Sequence, residues 1–246
     1  MSRRASLGWW LQFIALLPVL LPQALHTRRT ALRLPPAGGP QHGLAGAEWG
    51  GAPLRLLLLG ESTVAGVGVE VQQVALSGQL AESLAQQLQR PVQWRALGLN
   101  GITAIEACEQ LLPQASEAVD LALLVFGVND TTHFSARRAW QRALSELAEH
   151  FVRQSAQVAF TAVPPIQHFT ALPPLLRRVL GARARLLDGD LQQLAEAREH
   201  AYCALDLQFA DEYLAADGYH PSARGYAVWA QALAVRLEQA GAVTRR

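Results

Sequence analysis

Lysine is absent from this 246-residue chain: all 21 basic residues are arginine. Such a bias is the mark of a GC-rich genome and carries no chemistry by itself. Cysteine is nearly absent too, with only Cys108 and Cys203, and there is no CxxC or Cys/His cluster. That excludes a disulfide framework and gives no ligand set for zinc; both thiols sit in apolar stretches and read as inert core residues. Charged residues make up 17% of the chain against 50% hydrophobic ones, so a well-cored globular domain is expected and wholesale disorder is not. A broad basic face is missing as well. Residues 1–52 carry five arginines and one glutamate, a balance of +4; residues 53–246 carry sixteen arginines and nineteen acids, a balance of −3. A mildly acidic domain offers no surface for a phosphate backbone, which argues against nucleic acid as a partner. No internal repeat is visible.

What is present begins with an apolar run from Leu7 to Leu25, LGWWLQFIALLPVLLPQAL. Nineteen residues at about 1.5 Å each reach roughly 28 Å, close to the thickness of a bilayer core. Trp9 and Trp10 stand at one end, where interfacial aromatics belong, while Gln12, Pro18 and Pro22 interrupt a straight helix. A basic start and an apolar run also fit a cleaved signal peptide. No small-x-small cleavage site follows, however, and His26-Thr27-Arg28-Arg29 would sit at the junction. Residues 1–33 are therefore read as a retained membrane anchor in preference to a signal segment. Arg3 and Arg4 precede the run and Arg28, Arg29 and Arg33 follow it, so the positive-inside rule leaves the sidedness open. The expected location is a bacterial inner membrane, with a periplasmic domain as one of the two orientations. The Gly- and Pro-rich residues 34–53 read as a linker, and 54–246 as the domain.

Within the domain, short apolar runs alternate with longer amphipathic stretches. Strands are expected at 54–60, 92–97, 120–127, 157–163 and 202–207, and helices near 73–89, 103–112, 135–153, within the region up to 200, and from 222 to about 240. Strands that are continuously apolar are buried on both faces, and their alternation with helices implies a parallel sheet. The predicted fold is three-layer α/β/α around a central, mainly parallel five-stranded sheet. In such sheets reactive groups gather at the carboxyl ends of the strands.

The unusual polar residues fall there. Gly60-Glu61-Ser62-Thr63 follows the first run, Gly98-Leu99-Asn100-Gly101-Ile102-Thr103 the second, and Gly127-Val128-Asn129-Asp130 the third. Asp217-Gly218-Tyr219-His220-Pro221-Ser222 precedes the last helix. Taken singly each is ordinary: a strand–turn serine, a glycine turn with Thr103 as a helix cap, an Asx turn at Asn129. Together, in this order, they supply every role that nucleophilic catalysis needs. Ser62 requires a base, because a free hydroxyl is a poor nucleophile. His220 can be that base, with Asp217 three residues earlier fixing its tautomer. Glycine permits a backbone N–H to approach a ligand, and the Asn129 amide is a neutral donor for an oxyanion.

With these motifs the chain resembles the SGNH/GDSL hydrolases over residues 54–240. Ser62 in GEST looks like the family's block-one serine, Gly101 in GLNGIT like the block-two glycine, and Asn129 in GVND like the block-three asparagine. Asp217 and His220 in DGYHPS are similar to the family's DxxHP. The resemblance implies a flavodoxin-like fold, a nucleophile at Ser62, and an oxyanion hole formed by Ser62, Gly101 and Asn129. It implies no cofactor and no metal. The family usually has aspartate before the serine; here it is Glu61, whose longer side chain bears on the geometry of that loop.

The implied activity is hydrolysis of carboxylic esters, whether as esterase, lipase or thioesterase, on a small-molecule or lipid-like substrate. Two other readings stay open: a membrane-tethered binding module of the same fold without catalysis, and an acyltransferase or sugar O-deacetylase. The segment 164–188, with Arg177, Arg178, Arg183 and Arg185, is expected to wall the acyl pocket. It is read either as a lid facing an anionic head group or as a merely solvated face. Membrane association through residues 7–25 makes a membrane-proximal ester the natural expectation. Acyl length and oligomeric state are not readable.

Overall fold

In the computed structural model, residues 3–205 and 210–244 are described. Helix α1 (Arg3–Thr30) is followed by strands β1 (His42–Ala45) and β2 (Leu54–Gly60), helix α2 (Leu76–Leu88), β3 (Val92–Gly98) and α3 (Ala104–Gln110). Then come β4 (Leu121–Val125), the short α4 (Val128–Thr132), α5 (Arg137–Arg153), β5 (Gln157–Thr161), α6 (Pro174–Ala197), β6 (Ala201–Cys203) and α7 (Ala223–Gln239).

The strands form one sheet in the order β1–β3–β2–β4–β5–β6, parallel throughout except for the edge strand β1. From β2 the chain steps outward to β3, then crosses back to β4 on the other side of β2. The strand order therefore reverses beside β2, which is where a crevice opens at the carboxyl edge of such a sheet. The all-apolar runs occupy the middle of the sheet because both their faces are covered. Leu57 and Leu59 of β2, with Ala122 and Leu124 of β4, pack under α3, α5 and α6 against Trp140, Phe151 and Leu187. Leu56 and Leu58, with Leu121 and Leu123, pack on the opposite face against Leu80 and Leu84 of α2 and Trp229 and Leu233 of α7. The three layers of the expected fold are present, with six strands instead of five.

The sixth strand is β1, and it lies inside the segment read as a linker. His42 pairs with Arg95 and Ala45 with Val92. Four residues without an apolar pattern give no periodic signal; backbone pairing with β3 holds them, and Ala45 adds a contact with the core. Upstream of β1 the same segment reaches the other end of the sheet. The Ala37 N–H donates to the Ala65 carbonyl at 3.0 Å, and Gly38 exchanges bonds with Glu70 and Gln72. The supposed linker thus braces the turn that carries Ser62. Of the last expected strand, 201–203 is observed, and positions 206 and 207 lie outside the described residues.

Helix α1 does not stand free. Trp9 and Leu20 are buried, with Phe13, Leu16 and Ala24 packed beside them on the core under α6. These positions recur at helical spacing and form one stripe. The Trp9 indole N–H donates to the Val179 carbonyl of α6 at 2.9 Å. Arg183 of α6, expected at the pocket wall, is instead buried, its guanidinium 5.0 Å from the Trp9 ring, 5.5 Å from Trp10 and 5.4 Å from Phe134. Burial lowers its pKa to about 10, and a donated bond to the Ser135 carbonyl at 2.7 Å holds it in place. The two tryptophans expected at a membrane interface thus cover a buried cation.

Candidate active site

Strand β2 ends at Gly60, and the chain turns immediately so that Glu61 and Ser62 sit at the carboxyl edge of the sheet. This turn is held from several sides. Gln72 donates its side-chain amide to the Val64 carbonyl at 2.6 Å, and the Tyr226 hydroxyl donates to the Val67 carbonyl at 2.7 Å. Beside it β3 ends at Gly98, where a Cβ would lie 2.2 Å from the Ala65 nitrogen. Only glycine lets the two turns come so close.

His220 reaches this turn from the loop before α7. Its Nε2 lies 2.9 Å from Ser62 Oγ, and its Nδ1 lies 2.6 Å from Asp217 Oδ2. The other Asp217 oxygen accepts the backbone N–H groups of Tyr219 and His220, each at 3.0 Å. Burial works to raise the Asp217 carboxyl. The His220 imidazole and the two N–H groups outweigh it and hold the group below its usual range. An ionised carboxylate on Nδ1 keeps the proton on that nitrogen and leaves Nε2 as an acceptor toward the serine hydroxyl. Ser222 caps α7 by accepting the Gly225 N–H at 3.1 Å, which fixes where the loop ends.

Gly101 and Asn129 follow β3 and β4, the two strands flanking β2. Gly101 has φ +86°, a conformation that favours glycine. Asn129 is the second residue of α4, so the expected strand-end loop is a single helical turn. Its Nδ2 donates to the Ile102 carbonyl at 3.0 Å, which ties the β4 turn to the β3 turn and leaves its second amide hydrogen uncommitted. Among the described residues, the N–H groups of Ser62 and Gly101 have no acceptor.

A cavity of about 230 Å³ opens at Ser62 and His220. Its apolar wall includes Phe126, Phe169, Leu214 and Trp229. The 164–188 segment contributes Pro164, Gln167–Thr170 and Arg177; Arg178 and Arg185 are exposed. The Arg177 guanidinium has no ion-pair partner among the described residues. Gly101 and Asn129 are not among the lining residues, although Phe126 and Val128 beside Asn129 are, so the cavity reaches the β4 turn without including the Asn129 amide. Among the described residues no group of three His, Cys, Asp or Glu side chains could hold a metal.

The family model of the GDSL-like lipase/acylhydrolases matches residues 58–228. The chain belongs to this GDSL family. A curated relative, the GDSL-like esterase Rv1075c of Mycobacterium tuberculosis, is 24% identical over 196 residues, covering 76% of this chain and 62% of the relative. The chain thus spans about 62% of the length of that relative. The fold is shared with the lipase/acylhydrolase from Enterococcus faecalis (TM-score 0.59, 20% identity, 78% of this chain and 98% of that one). It is also shared with the esterase EstA from Pseudoalteromonas sp. (TM-score 0.59, 17% identity, 75% and 97%). Membership in the GDSL family implies a hydrolase and ester substrates in general.

Against the usual GDSL pattern, the glutamate before the serine has a definite place here. The Glu61 carboxyl is buried and accepts the N–H groups of Val128 at 2.9 Å and Asn129 at 2.8 Å. Burial pushes its pKa up to about 8, against the pull of those N–H groups. Glu61 thereby ties the serine turn to the asparagine turn. A second tie was not singled out in the sequence. Asp130, fully buried, accepts the Ala104 N–H at 2.9 Å and so caps α3 from the β4 turn. Thr103 and Glu106 complete a reciprocal capping box on the same helix end. The only signal for Asp130 was its position beside Asn129. The cavity residues Phe169 and Trp229 carried no signal, since aromatics in apolar stretches are usually core.

Proposed function

We propose that this GDSL hydrolase is a serine esterase working through an acyl-enzyme on Ser62. The observation that carries the reading is the Asp217–His220–Ser62 chain of bonds, 2.6 and 2.9 Å long. His220 Nε2 takes the hydroxyl proton as Ser62 Oγ attacks the ester carbonyl. The imidazolium formed is stabilised by the Asp217 carboxylate, which is already ionised. The tetrahedral oxyanion is met by the N–H groups of Ser62 and Gly101 and by the Asn129 amide, each donor contributing about 3–4 kcal/mol to the transition state. His220 then returns its proton to the departing alcohol, and a water deprotonated by the same nitrogen frees the acid. The acyl or leaving group occupies the apolar cavity, with Arg177 at its wall facing whatever polar or anionic part the ester carries. The substrate is a small or lipid-like ester close to a membrane.

Labelling with a fluorophosphonate probe tests this directly. The esterase EstA has a structure inhibited by monoethylphosphonate, and a phosphonyl adduct from the probe is expected on Ser62 here. The wild-type chain should take the label and hydrolyse short p-nitrophenyl esters. Ser62→Ala should lose the label and at least about three orders of magnitude in rate. A wild-type chain that neither labels nor hydrolyses would leave a binding module of this fold as the reading.

A further inference from the structure

Helix α1 is apolar all round, yet only one side of it is covered. The Trp9–Phe13–Leu16–Leu20–Ala24 stripe lies against the core under α6. A second stripe, Leu7, Leu11, Ile14, Leu21 and Leu25, recurs at the same helical spacing on another face. Leu7 and Leu11 are 62% exposed and Ile14 61%. An exposed row of large aliphatic side chains of this extent marks a surface that meets an apolar phase. The row ends in Arg28, Arg29 and Arg33, all exposed, whose guanidinium groups have no ion-pair or hydrogen-bond partner among the described residues. Before Glu48 the chain has no acidic residue.

By length and composition α1 could cross a bilayer. Its packing opposes that. The docked stripe runs from residue 9 to 24, about 22 Å of helix, which is most of the length that would fill a hydrocarbon core. A helix seated over that length on the folded domain can span only by opening the seam. Opening it would uncover Arg183, Phe134 and the apolar face of α6.

We propose that α1 lies in the plane of an anionic lipid surface, its inner stripe clamped to α6 and its outer stripe sunk among the acyl chains. The arginines at its end pair with anionic head groups. The helix lacks a polar face because protein, not water, covers its other side. The same α6 that receives Trp9 at Val179 carries Arg177 at the cavity wall, so docking would hold the cavity close to the lipid. The inference stands on this packing and does not depend on the chemistry at Ser62.

Flotation of the full chain with vesicles tests it. Binding to phosphatidylcholine vesicles containing phosphatidylglycerol is expected to be strong, weakened by salt and released by alkaline carbonate. Replacing Leu11, Ile14 and Leu21 together by glutamate should weaken it by more than about a hundredfold, while short-ester hydrolysis, measured in parallel, stays as in the wild type. Replacing Arg28, Arg29 and Arg33 by glutamine should abolish the preference over phosphatidylcholine alone. Three outcomes overturn the proposal: carbonate-resistant insertion with the N-terminus and the domain on opposite sides, a dimer that leaves vesicles unbound, or binding that the glutamate variant retains.

Discussion

A carboxyl group buried between two turns is a liability if it must ionise and a latch if it need not. Glu61 holds its proton up to about pH 8, burial being the larger influence, whereas in the unfolded chain the same group releases it near its ordinary value of 4.5. Between those limits the folded protein binds a proton that the unfolded chain does not, so raising the pH through that window favours unfolding. The resulting loss is on the order of a few kcal/mol. Asp217 works the other way. Its pKa is held down, so its contribution is complete above the ordinary aspartate range and fades only in acid. Urea midpoints measured from pH 5 to 8 should therefore fall for the wild type. In Glu61→Gln, which has no proton to lose, the pH dependence should largely disappear. Parallel curves for the two proteins would show that Glu61 is not the group responsible.

At the scale of elements, the least expected packing is that of α1. If it is part of the folded unit, its aromatic seam must contribute to stability. Trp9 stacks on Phe13 with centroids 5.1 Å apart, covers Arg183 and bonds to Val179. Trp9→Ala would leave a void beside a buried guanidinium, at a cost of about 3–5 kcal/mol. A urea midpoint unmoved by this substitution would mean that α1 is an appended segment. The sequence reading placed Trp9 and Trp10 at a membrane boundary because a hydrophobic run looks alike whether lipid or protein covers it. Nothing local to residues 7–25 encodes Arg183, more than 150 positions away. The central strands β2, β4 and β5 were legible for the opposite reason. Their mostly continuous apolar character is itself the signature of burial on both faces, whereas Gln93 and Arg95 interrupt β3. β1 was not legible, because a short edge strand needs only backbone bonds. The residues of the serine, glycine, asparagine and histidine turns could be picked out because each breaks the apolar pattern just past a strand or before a helix. The ties behind them could not, since Glu61 to Asn129 and Asp130 to Ala104 are long-range bonds between residue types that are common in any turn.

Taken whole, on the proposed reading an ester would be held between two sets of elements. The glycine and asparagine turns follow β3 and β4, while the cavity is walled by Phe126 and Val128 just after β4, the loop after β5, the start of α6, the loop before α7 and the face of α7 that carries Val228 and Trp229. At about 230 Å³ the cavity lies below the usual range for drug-sized ligands, about 300–1,000 Å³, so it should accept a short or medium acyl chain fully and a long one only in part. Each methylene that finds room contributes about 0.8 kcal/mol, roughly fourfold in kcat/KM. A series of p-nitrophenyl esters from acetate upward should rise by that factor per carbon while the cavity fills, then level off or fall. Filling Trp229's place with a smaller residue should move the break to longer chains, because the apolar wall it forms would recede. A series that climbs without a break through long chains would mean that the acyl group runs along the open surface instead, and that this cavity receives the alcohol side of the ester.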